Sequence, residues 1–95
     1  MPIFEGSFSS RALKDFYYTG TLKKLPVKNA EKLKHILDYL DTIDRLPPSP
    51  MLFRVHEHKG KGKGTWSFDI NGNMRVLCEF DADIDPINIR IEDPH

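Results

Sequence analysis

Two runs of alternating residues flank Asn71-Gly72-Asn73, and their pairing constrains the fold more than any other feature of the chain. Before the turn, Trp66, Phe68 and Ile70 alternate with Thr65, Ser67 and Asp69; after it, Met74, Val76 and Cys78 alternate with Arg75 and Leu77. A period of two marks β-strands with one face buried. The length of the turn then decides which residues meet. A two-residue Asn-Gly turn pairs Ile70 with Asn73 and sets Phe68 against Arg75, an apolar side chain against a charge. A three-residue loop places Ile70 opposite Met74, Phe68 opposite Val76 and Trp66 opposite Cys78, which gathers every core residue on one side. The second register is expected, with Asn73 in the left-handed conformation the loop needs and Arg75 on the polar face beside Ser67 and Asp69.

The rest of the chain supplies a cover for the apolar side of that hairpin. Residues 2–5 read as a short first strand. Ser9 or Ser10 can cap a helix that runs to Thr19 and stops at Gly20, with Leu13, Phe16 and Tyr17 at i, i+3 and i+4 forming one apolar stripe. A second helix is expected from about Val27 to Ile43, opened by Pro26 and carrying Ala30, Leu33, Leu37, Leu40 and Ile43 on one line. The run Leu46-Pro47-Pro48-Ser49-Pro50 cannot continue a helix and reads as a stiff crossing loop. From Met51 the period is two again: Phe53 and Val55 alternate with Arg54 and His56, and Ile87, Ile89 and Ile91 alternate with Asn88, Arg90 and Glu92. The expected fold is α+β: a short N-terminal strand and two helices packed on one face of a largely antiparallel four- to five-stranded sheet.

At 95 residues the chain is one domain over residues 1–95, able to bury roughly 60–65% of its unfolded surface without staples. It has 39% hydrophobic and 29% charged residues, and no apolar run approaches the ~20 residues of a membrane span. MPIFEGSFSS has no basic region followed by an apolar stretch, and the lone Cys78 has no partner for an internal disulfide, so the expected location is the cytoplasm. Fourteen basic and fourteen acidic residues cancel, which argues against an indiscriminate polyanion binder.

Local distribution matters more than the sum. Lys59, Lys61 and Lys63 alternate with Gly60, Gly62 and Gly64, so the backbone can approach a ligand while three ammonium groups face anionic oxygens. The loop is not a P-loop, because the GxxxxGK[ST] spacing is missing and a strand follows it. Arg54, His56, Arg75 and Arg90 fall on the outer sheet face, a candidate phosphate site. A solvated Lys-rich turn and an Arg75–Asp69 pair across the hairpin account for the same residues without any ligand. His56 and His58 on one strand face, with His95, offer a loose metal site that lacks a carboxylate or thiolate. His35 lies among helix charges at the surface, Tyr17, Tyr18 and Tyr39 are helix packing, and Cys78 is a small buried hydrophobe.

The series VHEHKGKGKGTWSFDINGNMRVLCEF, followed by the end Glu92-Asp93-Pro94-His95, resembles the HigB-type toxins of the RelE superfamily over nearly the whole chain. The resemblance implies a toxin of a bacterial type II toxin–antitoxin pair, an endoribonuclease that cuts messenger RNA in the translating ribosome without metal or other cofactor. Its chemistry is attack of a ribose 2′-hydroxyl on the adjacent phosphorus, which needs a base, a cation against the growing phosphoryl charge and an acid for the leaving 5′-oxygen. Matched position by position, the implied catalytic residues are His56, Lys59, Arg75, Asp93 and His95. Arg54, Lys61, Lys63 and Arg90 are expected to bind RNA. Arg75 would clamp the scissile phosphate, and His56 or His95 could act as acid or base, with Asp93 as a second base or an orienting partner.

Three departures accompany the match. Pro94 stands where the family has tyrosine, removing a ring that could stack on a base and a hydroxyl that could carry a proton. Met74 replaces a common tryptophan beside the arginine, a packing exchange on the core side. The neutral charge is the third. Slower cleavage or altered preference is the expected result. The implied partners are mRNA on the ribosome and a helix-turn-helix, HigA-type antitoxin, with operator DNA reached through the antitoxin and no membrane. A binding module that has lost catalysis, or an interaction domain for the antitoxin, fits the same residues.

Overall fold

The computed structural model describes residues 3–23, 25, 30–46, 48, 55–58, 64–70 and 74–92. A 3-10 turn at Glu5–Ser7 leads into helix α1 (Arg11–Thr19), followed by helix α2 (Ala30–Thr42) and strands β1 (His56–Glu57), β2 (Trp66–Asp69), β3 (Arg75–Phe80) and β4 (Pro86–Glu92). Among the described residues the strands form one antiparallel sheet in the order β1-β2-β3-β4. No helix among them is long and apolar enough to cross a membrane.

The strand expected at residues 2–5 is not formed in its described part. Phe4 N–H donates to Ser7 Oγ at 3.0 Å while Ser7 N–H donates to the Phe4 carbonyl at 2.9 Å, a reciprocal closure that turns the chain instead of extending it. Extended backbone comes later: Phe8 makes an isolated parallel bridge to Ile89, with Ser9 N–H on the Ile89 carbonyl at 3.1 Å. The start of the chain is also tied to α2, because Asp41 accepts from Ile3 N–H at 3.2 Å and from the Tyr17 hydroxyl at 3.1 Å. Burial, together with that carboxylate, pushes the Tyr17 phenol up to about 12.

Helix α1 has the expected ends. Ser10 Oγ accepts from Leu13 N–H, and Gly20 closes the helix at φ 78° with its N–H on the Phe16 carbonyl at 2.8 Å. A β-carbon is disfavoured at that φ, so glycine suits the position. In α2, Leu33, Ile36, Leu37 and Leu40 are buried; Ile36 was not on the expected line and widens the stripe. Residues 27–29, where the helix was expected to begin, lie outside the described residues, as do Pro26, Phe53 and the 71–73 loop. Tyr17 and Tyr39 pack against the core, but Tyr18 is half exposed, contrary to the expectation of packing. Its ring lies edge-on to Tyr17 at 4.9 Å.

The core joins Leu13 and Phe16 of α1 and the α2 stripe to Val55, Phe68, Ile70, Met74, Val76, Cys78 and Ile89. The β2–β3 register is the expected one: Trp66 opposes Cys78, Phe68 opposes Val76 and Asp69 opposes Arg75, with Ile70 N–H on the Met74 carbonyl at 2.9 Å. Opposed residues point to the same face, so Val76, Cys78 and Met74 turn toward the helices and Arg75 turns away from them.

The alternation expected through Ile87, Ile89 and Ile91 breaks. Leu77 pairs Arg90 but Glu79 pairs Ile87, a one-residue shift with Asn88 at φ 53°. This β-bulge sends Ile87 to the outer face with Glu79, whereas Ile89 and Ile91 stay on the core side. Nor is the outer face uniformly wet. Ser67 and Leu77, opposite each other, are 0% and 2% exposed.

Replacing Gly20 with Ala is expected to cost about 1 kcal/mol through the left-handed backbone alone, and Phe68→Ala about 3–5 kcal/mol through the cavity it leaves. Urea denaturation followed by circular dichroism measures both.

Candidate active site

Three rows of side chains cross the outer face. His58 lies beside Thr65 and Glu79; His56, Ser67, Leu77 and Arg90 form the next row; Asp69, Arg75 and Glu92 form the third. Each row follows from direct pairing across antiparallel strands, and the sequence periods set which residues enter it. His56 and Arg75 are separated by two strand spacings and two residues, about 12 Å between α-carbons.

In the first two rows the groups are mutually committed. Glu79 accepts from Asn88 Nδ2 at 3.0 Å and from Arg90 Nη1 at 3.1 Å, and Arg90 Nη1 also reaches the Asn88 carbonyl at 2.8 Å. Burial alone would raise the Glu79 carboxyl, but the hydrogen bonds from Asn88, Thr65 and Arg90 outweigh it and hold the group below its ordinary 4.5. Arg90, expected to bind RNA, is thus engaged in an intramolecular ion pair beside the bulge. His58 meets Ser67 Oγ through Nε2 at 2.6 Å. Its ring is stacked on that of His56, with centroids 5.9 Å apart and planes 21° from parallel.

The third row differs. Asp69 and Arg75 face each other, yet Asp69 Oδ1 and Arg75 Nε are buried without a hydrogen-bond partner. The cross-hairpin pair that would account for Arg75 structurally does not form, and a guanidinium donor is left unspent on a half-buried side chain. Buried unpartnered donors are costly and uncommon outside sites that use them.

Arg54, Lys59, Lys61, Lys63, Asp93 and His95 lie outside the described residues. Of the expected set, His56, Arg75 and Arg90 stand on one face of the sheet, spread over three strands, and His58, Ser67 and Asp69 share that face with them. His58 and Ser67 share the two-residue period that placed His56 outward; the signal was present, but nothing in it revealed that Ser67 would be buried. Among the described residues, Asp81, Asp83 and Asp85 alone bring carboxylates close enough to hold a metal ion together. Asp81 Oδ1 already accepts the N–H groups of Asp83 and Asp85 at 2.9 and 3.0 Å, the role of a turn-closing side chain. A groove lined by Phe16, Tyr17, Ala30, Lys34 and Leu37 lies between the helices, away from the outer face. Cys78 is fully buried, and desolvation pushes its thiol up to about 12.

A small α+β domain with two helices behind an antiparallel sheet and an arginine–histidine face in front is thereby defined. The family model for the RelE-like toxin of the type II toxin–antitoxin system HigB matches residues 6–95, and the chain belongs to that family. It is similar to the endoribonuclease HigB of Proteus vulgaris, with 24% identity over 75 residues covering 78% of this chain and 82% of that protein.

Two outcomes are expected from this geometry. Because the Glu79 carboxyl is held low in the folded protein, its stabilising contribution is complete above the unfolded value and is lost as pH falls through the folded one. The stability difference between wild type and Glu79→Gln should be largest near neutrality and shrink as pH drops below 4.5, read from denaturant melts at several pH values. Cys78 should resist a thiol reagent in native buffer at pH 7 and react fully in denaturant.

Proposed function

We propose that this chain is the toxin of a type II toxin–antitoxin pair and acts as an endoribonuclease on messenger RNA in the translating ribosome. Membership of the HigB-like family and the name of the Proteus vulgaris relative support that reading. The observation that carries the site is Arg75: it stands on the sheet face turned away from the helices, and its buried Nε has no partner among the described residues. A guanidinium is a planar cation of the kind that suits a phosphodiester, which accepts two of its donors in parallel.

In this reading the ribose 2′-hydroxyl is deprotonated and attacks the adjacent phosphorus, and the 5′-oxygen leaves with a proton. No metal enters the proposed reaction. Arg75 faces the charge that grows on the phosphoryl oxygens. His56, exposed on β1 about 12 Å from Arg75 by strand spacing, is proposed to act as the acid or the base. Lys59, Asp93 and His95 are proposed to complete the set, with Lys61, Lys63 and Arg54 along the RNA backbone. The proposed partners are mRNA on the ribosome and a helix-turn-helix antitoxin that reaches operator DNA, in the cytoplasm. Pro94 supplies neither ring nor hydroxyl, so base preference rests on other side chains.

Induced expression should arrest growth, and primer extension on a translated message should show discrete cuts. Arg75→Ala is expected to lower the cutting rate by roughly 10²–10³-fold, the scale of losing one transition-state donor, and to relieve the arrest while leaving the thermal midpoint nearly unchanged. Arrest that persists in both Arg75→Ala and His56→Ala would refute the assignment of the site; ribosome binding without cuts in wild type would refute the enzymatic reading.

A further inference from the structure

We propose that His58 is a positioning residue that holds the plane of the His56 imidazole and is itself fixed by Ser67. The inference rests on the reading of His56 as a group acting on RNA. Strand β1 is only His56–Glu57, at the end of the strand order, and His56 is exposed. Proton transfer requires that ring to hold one rotamer.

His58 supplies a fixed surface beside it. Two residues on and on the same face, its backbone N–H donates to the Thr65 carbonyl at 2.8 Å and its Nε2 meets Ser67 Oγ at 2.6 Å. Those contacts fall on Thr65, just before β2, and on Ser67 within it, so backbone and ring are pinned to one short segment. Ser67 is 0% exposed, although it sits on the polar face and directly opposes His56. A hydroxyl buried there needs a partner, and His58 provides it. With Nε2 occupied, the His58 ring has its centroid 5.9 Å from that of His56 and its plane 21° from parallel. That offset-stacked arrangement restrains rotation of the exposed ring. The chemistry stays with His56.

The test compares two double variants, His58→Phe/Ser67→Ala and His58→Leu/Ser67→Ala. Each removes both ends of the hydrogen bond, so neither strands a buried hydroxyl; only the first keeps a flat ring beneath His56. Cleavage of a defined message on programmed ribosomes should fall about tenfold in kcat for the Leu variant with KM little changed, the size of a modest misplacement, and most of the rate should return in the Phe variant. The His56 ring-proton resonances should shift in the Leu variant and remain near their native position in the Phe variant. Equal losses in both would overturn the proposal, because His58 would then act chemically. Native kcat in both, while His56→Ala abolishes cleavage, would also overturn it and leave the site reading intact. Native cleavage by His56→Ala would bring down the site reading and the inference with it.

Discussion

The pairing of β2 with β3 carries the rest of the molecule. With Phe68 against Val76 and Trp66 against Cys78, one side of the hairpin becomes continuous with Leu13, Phe16 and the α2 stripe, while Asp69 and Arg75 are forced to the other side. A slip of one residue would exchange the two sets, burying a guanidinium and exposing the core. The hydrophobic free energy of the whole core therefore acts on the direction of Arg75, although that side chain contributes little to the core itself. Placement of a charged group by the burial of its neighbours is firmer than placement by an ion pair, since it survives changes in salt.

Much of this was legible from residue types alone. The β2–β3 register followed from rejecting a Phe68–Arg75 mismatch, and the ends of α1 followed from a serine at 9 or 10, of which Ser10 is the cap, and from Gly20. The misses share a cause: contacts distant in sequence overrode a local pattern. Ser7 folds the N-terminus back on Phe4, and the extended segment shifts to Phe8, beside Ile89. In β4 the isoleucine alternation is perfect on paper, yet Asn88 takes a positive φ and inserts one residue, which periodicity cannot register. Tyr18 belongs to an aromatic group with Phe8 and Tyr17 but lies at its rim.

The site was legible in part for the same reason. Parity along the strands put His56, Arg75 and Arg90 outward together. Parity could not say which of them would be occupied: Arg90 is bound to Glu79 beside the bulge, whereas Arg75 keeps an unpartnered donor opposite an unpartnered acidic oxygen. That distinction depends on side-chain placement, which a two-residue period does not encode.

The bulge at Asn88 also divides β4 into two stretches of opposite parity, one holding Pro86 and Ile87, the other Ile89 through Glu92. Loss of that single residue would close the bulge into a regular ladder, with Ile87 still opposite Glu79 and Arg90 still opposite Leu77, so the extra residue bends and twists the strand and leaves both faces as they are.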